Sequence, residues 1–373
     1  MHREPLFRMV KRDTISKSKN IIIHLIAVFL SLIVCGIVII AITGQNPIEV
    51  YKGIVEGAVG TKRRIFVTLR ETMVLLLIAV GLTPAFKMKF WNIGAEGQIL
   101  VGGLACAALM IYAGNIFPNW LLILLIIGVS ALAGMIWGFI PAVFKARYNT
   151  NETLFTLMLN YVAMQLVTFC IIFWEKPAGS NTVGIINSET KQGWFPALFG
   201  NVQLINVIIV LTITLGMFIY MKYSKQGYEI AVVGESENTA RYAGISVRKV
   251  IIRTVMLSGA ICGIAGALIV AGSSHTISTS TAGGRGFTAI IVAWMSKFNP
   301  FIMILVSAFL VFMQQGAIQI ASQFGLNQNA SDIITGILLF FLIGCEFFCN
   351  YKVYLGICFG KKRYPQQARK EAM

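Results

Sequence analysis

The stretch NWLLILLIIGVSALAGMIWGFIPAVF, residues 119–144, decides the class of fold. It runs for 26 residues without a charged side chain. A helix needs roughly 20 apolar residues to cross the hydrocarbon layer of a bilayer. A helix that is apolar on every face is either such a span or the core of a large protein. Stretches of the same kind recur at 20–43, 153–174, 204–223, 250–271, 299–320 and 331–350, and three more, 66–86, 98–114 and 286–297, are shorter or interrupted. The reading is an all-α integral membrane protein of about ten transmembrane helices.

Composition agrees. The chain has 373 residues, 57% hydrophobic and 12% charged, with a mean hydropathy of +0.76. Soluble chains carry roughly 25% charged residues, so lipid must solvate most of the exterior. The net charge of +16 would suit a polyanion, but the cations sit in short clusters between apolar runs rather than on one face. They read as flanks of membrane helices, and no nucleic acid is expected. If ten spans place both termini inside, 23 of the 31 Lys and Arg fall on that side. Positive residues favour cytoplasmic loops, so the expected topology is N-in, C-in. This gives a cytosolic basic arm at 1–19, a transmembrane domain at 20–350 and a cytosolic basic tail at 351–373. The longest external loop is 175–203 and the longest internal one 222–249. The run at 20–43 is too long for a secretory signal and reads as a first span that stays attached. Lys52, Lys62, Arg63, Arg64 and Arg70 fall outside. Either an external amphipathic helix holds them or the span count errs there.

No catalytic set is present. The histidines are His2, His24 and His275, and neither HExxH nor GxSxG occurs. GICFGKK at 356–362 lacks the spacing and the hydroxyl of a phosphate-binding loop. The seven cysteines form no CxxC pair, and Cys345 and Cys349 have no His or third Cys beside them. No enzyme, metal site or bound cofactor is expected.

What remains is polar residues at membrane depth, which are costly and mark pathways or helix partners. FWNIGAEGQ at 90–98 carries Asn92, Glu96 and Gln98 among two glycines. It reads as path lining or a gate, or else as a cytosolic turn. Thr156 and Asn160 lie four apart and in line with Glu152, on one helix face. They either bond a neighbouring helix or contact solute. SSHTISTSTAGGRGF at 273–287 ends in Gly284, Gly286 and Phe287. Hydroxyls and a ring would suit a sugar or nucleoside; an external loop is the plainer reading. Glycine-interrupted spans thus occur once in each half, a pattern that points to a transporter's midplane site. In the loop 222–249, Ser236 would cap a short helix over 238–243 and Gly244 would end it.

WNIGAEGQ (91–98), Asn151-Glu152, TLMLNY (156–161), GESENTARYAGI (234–245), LSGA (257–260), GFT (286–288) and Asn299-Pro300 occur here in this order. In these the chain, over about 45–345, resembles the permease family of sugar and nucleoside ABC importers, related to the branched-chain amino acid permeases. It is most similar to the larger permeases of general nucleoside uptake systems. The resemblance implies ten helices in a cobalamin-importer-like fold with two pseudo-symmetric halves, in a bacterial plasma membrane. It implies a second permease subunit in a heterodimer, two ABC ATPase subunits that hydrolyse the ATP, and an extracytoplasmic substrate-binding lipoprotein. The short helix would couple to the ATPase through Gly234, Glu235, Asn238, Ala240, Arg241, Ala243 and Gly244, the small residues packing into its groove. The chain departs from the family at Ala231-Val232-Val233, where Arg-Ala-Val is common, at Ser236 for Asn, and at Thr72-Met73 for Thr-Pro. The expected solute is a nucleoside, with simple sugars as the alternative. An ion-coupled transporter acting alone would need buried midplane acids, and only Glu96, Asp332 and Glu346 come near.

Overall fold

With no water in the hydrocarbon layer, each backbone N–H and C=O must be satisfied inside the chain, so spans are helical and breaks need side-chain partners. The computed structural model describes residues 7–11, 17–44, 46–175, 177–198, 201, 203–325 and 351–355, with scattered positions between 333 and 349. It divides into two units, one formed by Met1–Pro47 and Asp332–Met373, the other by Ile48–Ser331.

The first unit holds helix α1 (Lys17–Thr43) and a two-stranded antiparallel ribbon of β1 (Phe7–Lys11) with β2 (Tyr351–Leu355). The register sets Phe7 opposite Leu355 and Met9 opposite Val353. The helical fold class stands, and this short ribbon is an addition to it. FRMVK and YKVYL are short, rich in β-branched and aromatic residues, and too brief for a stable helix.

The second unit is helical: α2 (Pro47–Val59), α3 (Lys62–Lys87), α4 (Ala95–Ala113), α5 (Asn119–Tyr148), α6 (Glu152–Trp174), α7 (Leu204–Tyr223), α8 (Lys225–Glu235), α9 (Glu237–Tyr242), α10 (Val247–Ile269), α11 (Arg285–Met295) and α12 (Pro300–Gln323). A π-helical turn, Val270–Ser274, prolongs α10. Local chemistry sets many boundaries. Thr61, Asn151, Ser224, Ser236 and Asn299 each accept a backbone N–H at a helix start, replacing a partner the first turn lacks. Gly244, at φ +75°, follows α9.

Among the described residues seven helices are long and apolar enough to cross a membrane: α3, α4, α5, α6, α7, α10 with its π turn, and α12. Of the other three expected spans, 20–43 lies in α1, whose apolar stretch is Leu25–Val38. The span expected at 286–297 is α11, only 11 residues, or about 16 Å at 1.5 Å per residue. Half of the tenth, 331–350, lies outside the described residues. α10 is the central helix, with 83% of its apolar window buried against 22% for α7. It packs on α3, α4 and α5. At its crossing with α5, a Cβ on Gly134 would strike the Gly259 carbonyl and Gly263. Glycine lets the two backbones touch, as small residues do where helices associate in lipid.

The 47–70 region resolves into two helices. α2 lies on the C-terminal end of α12: a Cβ on Gly57 would meet the Gly316 Cα at 3.1 Å, and Arg64 donates to Gln319 Oε1 at 2.9 Å. α3 begins four residues earlier than hydropathy suggests, and Arg70 lies about two turns into it. Arg70 is therefore not part of an external surface cluster; its side chain is 14% exposed and pairs with Glu71 at 2.8 Å.

Candidate functional site

Between Lys87 and Ala95 the chain leaves the helix, and it re-enters at α4. A second break precedes α11, with Gly284 at φ +74°. The starts of α4 and α11 meet. A Cβ on Gly286 would stand 2.6 Å from the Glu96 backbone nitrogen, so only glycine permits the contact. Glu96, in the first turn of α4, turns its carboxylate onto the first turn of α11. Oε1 accepts the Gly284 N–H at 2.6 Å and Oε2 the Gly286 N–H at 2.8 Å. A carboxylate at a helix N-terminus is favoured by both the orphan N–H groups and the helix dipole.

The first break is held the same way from α6. Thr156 Oγ1 accepts the Ile93 N–H at 3.2 Å, Asn160 Nδ2 donates to the Ile93 carbonyl at 3.0 Å, and Asn160 Oδ1 accepts the Gly97 N–H at 2.8 Å. Asn92 accepts the Gly94 N–H at 3.0 Å and donates to Gln98 and to Ser258 of α10. Asn92, Glu96, Gln98, Thr156 and Asn160 are all buried. Structure thus gathers five of the sequence-derived residues around the first break and Gly284 and Gly286 around the second. In-line Glu152 pairs with Lys145 at 2.9 Å instead.

An ion cluster stands beside this junction. Glu71 bridges Arg70 at 2.8 Å and Arg285 at 2.7 Å. The Arg285 guanidinium also donates to the Thr281 and Ala282 carbonyls, both at 3.3 Å. With Glu96 the charges balance, two of each sign, as buried charges require. Glu71 was missed in the sequence and Arg70 was read as an external cation, although two adjacent charges inside an apolar run are a signal of this kind.

The other face of α11 is aromatic. Phe287 and Trp294, seven residues apart and so on one face, are 43% and 42% exposed. Trp294 stacks on Trp91 with centroids 5.3 Å apart and planes at 15°, and Phe86 closes edge-on at 6.0 Å from Trp91. Phe287 was expected; Trp91 and Trp294 join it only through the fold.

The loop 222–249 contains two helices, α8 and α9, where one was expected, with Ser236 capping the second. Gly234 and Ala240 are buried within this chain. A Cβ on Gly234 would collide with the Lys87 carbonyl. These two cannot also fill a partner's groove, which corrects that part of the expectation. Glu235, Asn238, Arg241, Ala243 and Gly244 are exposed, as is Tyr242 at 94%. Lys89 reaches back to the Glu235 carbonyl at 3.4 Å. What this arrangement offers chemically is hydrogen bonds, ion pairs and exposed aromatic faces.

Residues 64–343 match the family described as branched-chain amino acid transport system, permease component. The chain is 28% identical over 333 residues to the guanosine ABC transporter permease protein NupP of Bacillus subtilis (strain 168), covering 88% of this chain and 94% of that relative. It is 27% identical over 336 residues to the nucleoside ABC transporter permease protein NupB of Lactococcus lactis subsp. cremoris (strain MG1363), covering 88% and 92%. The glucose ABC transporter permease protein TsgB13 of Haloferax volcanii is 26% identical over 348 residues, with 90% of each covered.

Proposed function

We propose, from the premise that this chain belongs to the family of branched-chain amino acid transport system permease components, that it is the membrane subunit of a bacterial ABC importer for nucleosides. The observation that carries the solute class is similarity along nearly the whole chain to permeases named for guanosine and for nucleosides. The glucose-named relative, at nearly the same identity, favours simple sugars as the second reading. The chain works in the plasma membrane beside a second permease, above ATPase subunits that hydrolyse the ATP, and receives solute from an external lipoprotein. Pairing of β1 with β2 supports both termini lying on one side, as N-in, C-in topology and ten spans require.

In this reading the two interrupted helices are the gate. Asn92, Gln98, Thr156 and Asn160 hold the first break, and Glu96 clamps α11 through Gly284 and Gly286. Phe287, Trp294 and Trp91 offer π faces, on which a nucleobase or sugar ring stacks. The exposed edge of α8–α9, with Glu235, Asn238, Arg241, Tyr242, Ala243 and Gly244, meets the ATPase. A solute moves because the two states of the gate bind it differently. Uptake of radiolabelled guanosine and adenosine into cells that lack and regain this gene tests the substrate. Restored uptake that excess unlabelled nucleosides suppress and excess glucose does not is the expected result. Suppression by glucose alone overturns the nucleoside reading. Deleting 236–244 should leave the protein in the membrane and abolish uptake; normal uptake would refute the coupling role.

A further inference from the structure

A cleft of about 620 Å³ opens between the ends of α3 and α7 and the start of α12. Three lysines line it, Lys87, Lys222 and Lys297, and none of its lining residues is acidic. The rest of the wall is largely apolar, with Met217, Phe218 and Phe301 prominent. Each wall carries a lysine at one end and mostly apolar residues beside it, before the lysine on α3 and α7 and after it at the start of α12. On α7, Phe218 precedes Lys222 by one turn, and the Lys222 ammonium lies 5.4 Å over the Phe218 ring. On α3, Val80 and Thr83 line the cleft two turns and one turn before Lys87. On the third wall Lys297 and Asn299 precede Phe301 and Met303. The Phe218 and Phe301 rings meet edge-on at 5.8 Å and form an apolar back wall. Cations therefore ring the lip, and apolar side chains follow toward the middle of the span.

We propose that this cleft binds an anionic phospholipid, with its phosphate among Lys87, Lys222 and Lys297 and its acyl chains along Phe218 and Phe301. Charge complementarity at the lip and apolar walls one turn deeper match the two parts of such a lipid. Basic pockets between spans on the cytoplasmic side bind anionic headgroups. An uncharged nucleoside would use neither the three cations nor the depth order. The site joins the bilayer to the coupling segment, because α8 starts three residues after Lys222.

The full chain, purified in detergent, is titrated with phosphatidylglycerol, phosphatidylcholine or inorganic phosphate, and bound lipid is counted by native mass spectrometry beside thermal unfolding. Saturable binding of phosphatidylglycerol at least tenfold tighter than phosphatidylcholine is expected. Each Lys→Gln change should weaken it about fivefold, near the ~1 kcal/mol that a surface cation contributes. An Arg248→Gln/Lys249→Gln variant, altered outside the cleft, should bind like the parent. Equal binding of the two lipids, or unchanged binding by K87Q/K222Q/K297Q, overturns the proposal. So does equal stabilisation by inorganic phosphate, which marks a free-anion site, or displacement of the lipid by an acidic peptide at lower concentration. If the triple variant fails to fold, K222Q alone, altered at an exposed side chain, carries the same comparison.

Discussion

Replacing Glu96 by Gln keeps the shape of the side chain and removes its charge. The carboxylate holds two backbone N–H groups of α11, at 2.6 and 2.8 Å, in a position 9% exposed. An amide has one acceptor oxygen. It can satisfy Gly284 or Gly286, and then turns its own NH₂ toward the other N–H. One bond is lost outright and the survivor is no longer charge-assisted. Leaving a buried donor unmade costs about 1–3 kcal/mol, and a bond to a charged group contributes about 1.5–3 kcal/mol against about 1 for a neutral one. The helix dipole adds a few tenths to ~1 kcal/mol. The expected loss is about 3 kcal/mol. Thermal unfolding of the purified protein should register it, and uptake should fall with it. Gly286→Ala breaks the same contact by steric means, since its Cβ would lie 2.6 Å from the Glu96 nitrogen. The double variant should therefore lose much less than the sum of the singles. Stability within 0.5 kcal/mol of the parent for Glu96→Gln (about the spread of neutral surface changes), or strict additivity with Gly286→Ala, would refute the clamp.

Glu71→Gln leaves Arg70 and Arg285 facing each other without their shared carboxylate. The cluster is part-buried, so the loss should fall below the ~3–5 kcal/mol of a fully buried pair, and denaturant unfolding should still rank it above Arg70→Gln. Gly234→Ala should destabilise by more than ~1 kcal/mol through its collision with the Lys87 carbonyl. Tyr242→Ala, at a side chain 94% exposed, should leave unfolding unchanged and lower solute-stimulated ATP hydrolysis by the assembled importer. His275 lies beyond the end of α10 and stacks on Trp194 at 3.7 Å. Burial first, and then the Arg70 charge, hold its pKa below the usual histidine value. The unfolded chain therefore takes up the proton first as pH falls. The stabilisation is complete above ~6.5, the ordinary value, and is lost as pH drops toward the lowered folded value. Melting temperature should decline over that interval, and His275→Phe, which keeps the stack, should flatten the decline.

Spans were legible because twenty apolar residues in a row have few other uses. The breaks were legible too: glycine beside Asn, Glu and Gln inside apolar sequence is a local signal. Their meeting was not. Glu96 and Gly284 are 188 residues apart, and nothing local in either tells which N–H groups the carboxylate takes. The direction of small residues was equally hidden. Gly234 and Ala240 suit a groove on a partner and a groove in this chain alike, and only the position of the Lys87–Met88 turn decides between them. Arg70 was misplaced because a charge near the start of a span looks alike in sequence whether water or Glu71 solvates it. The β1–β2 ribbon escaped because two five-residue segments at opposite ends of the chain carry a pairing that neither shows alone.

The polar residues at membrane depth have a structural task before any solute arrives. Two helix breaks expose N–H groups to a solvent that cannot bond them. Asn92, Thr156 and Asn160 take those of Ile93, Gly94 and Gly97, and Glu96 takes those of Gly284 and Gly286. Their acceptors are engaged, so in the proposed reading contact with a passing solute would fall to the exposed aromatic face of α11. Motion is constrained in the same way. Tilting α11 by a little lengthens both Glu96 bonds at once without offering either N–H a new acceptor. The low-energy positions are therefore those in which the carboxylate holds both or the N–H groups have found another partner. A short helix held at its N-terminus by one carboxylate would switch between discrete arrangements rather than tilt smoothly, as packed interfaces do. If this junction is the gate proposed above, that property would keep the importer from opening to both sides at once.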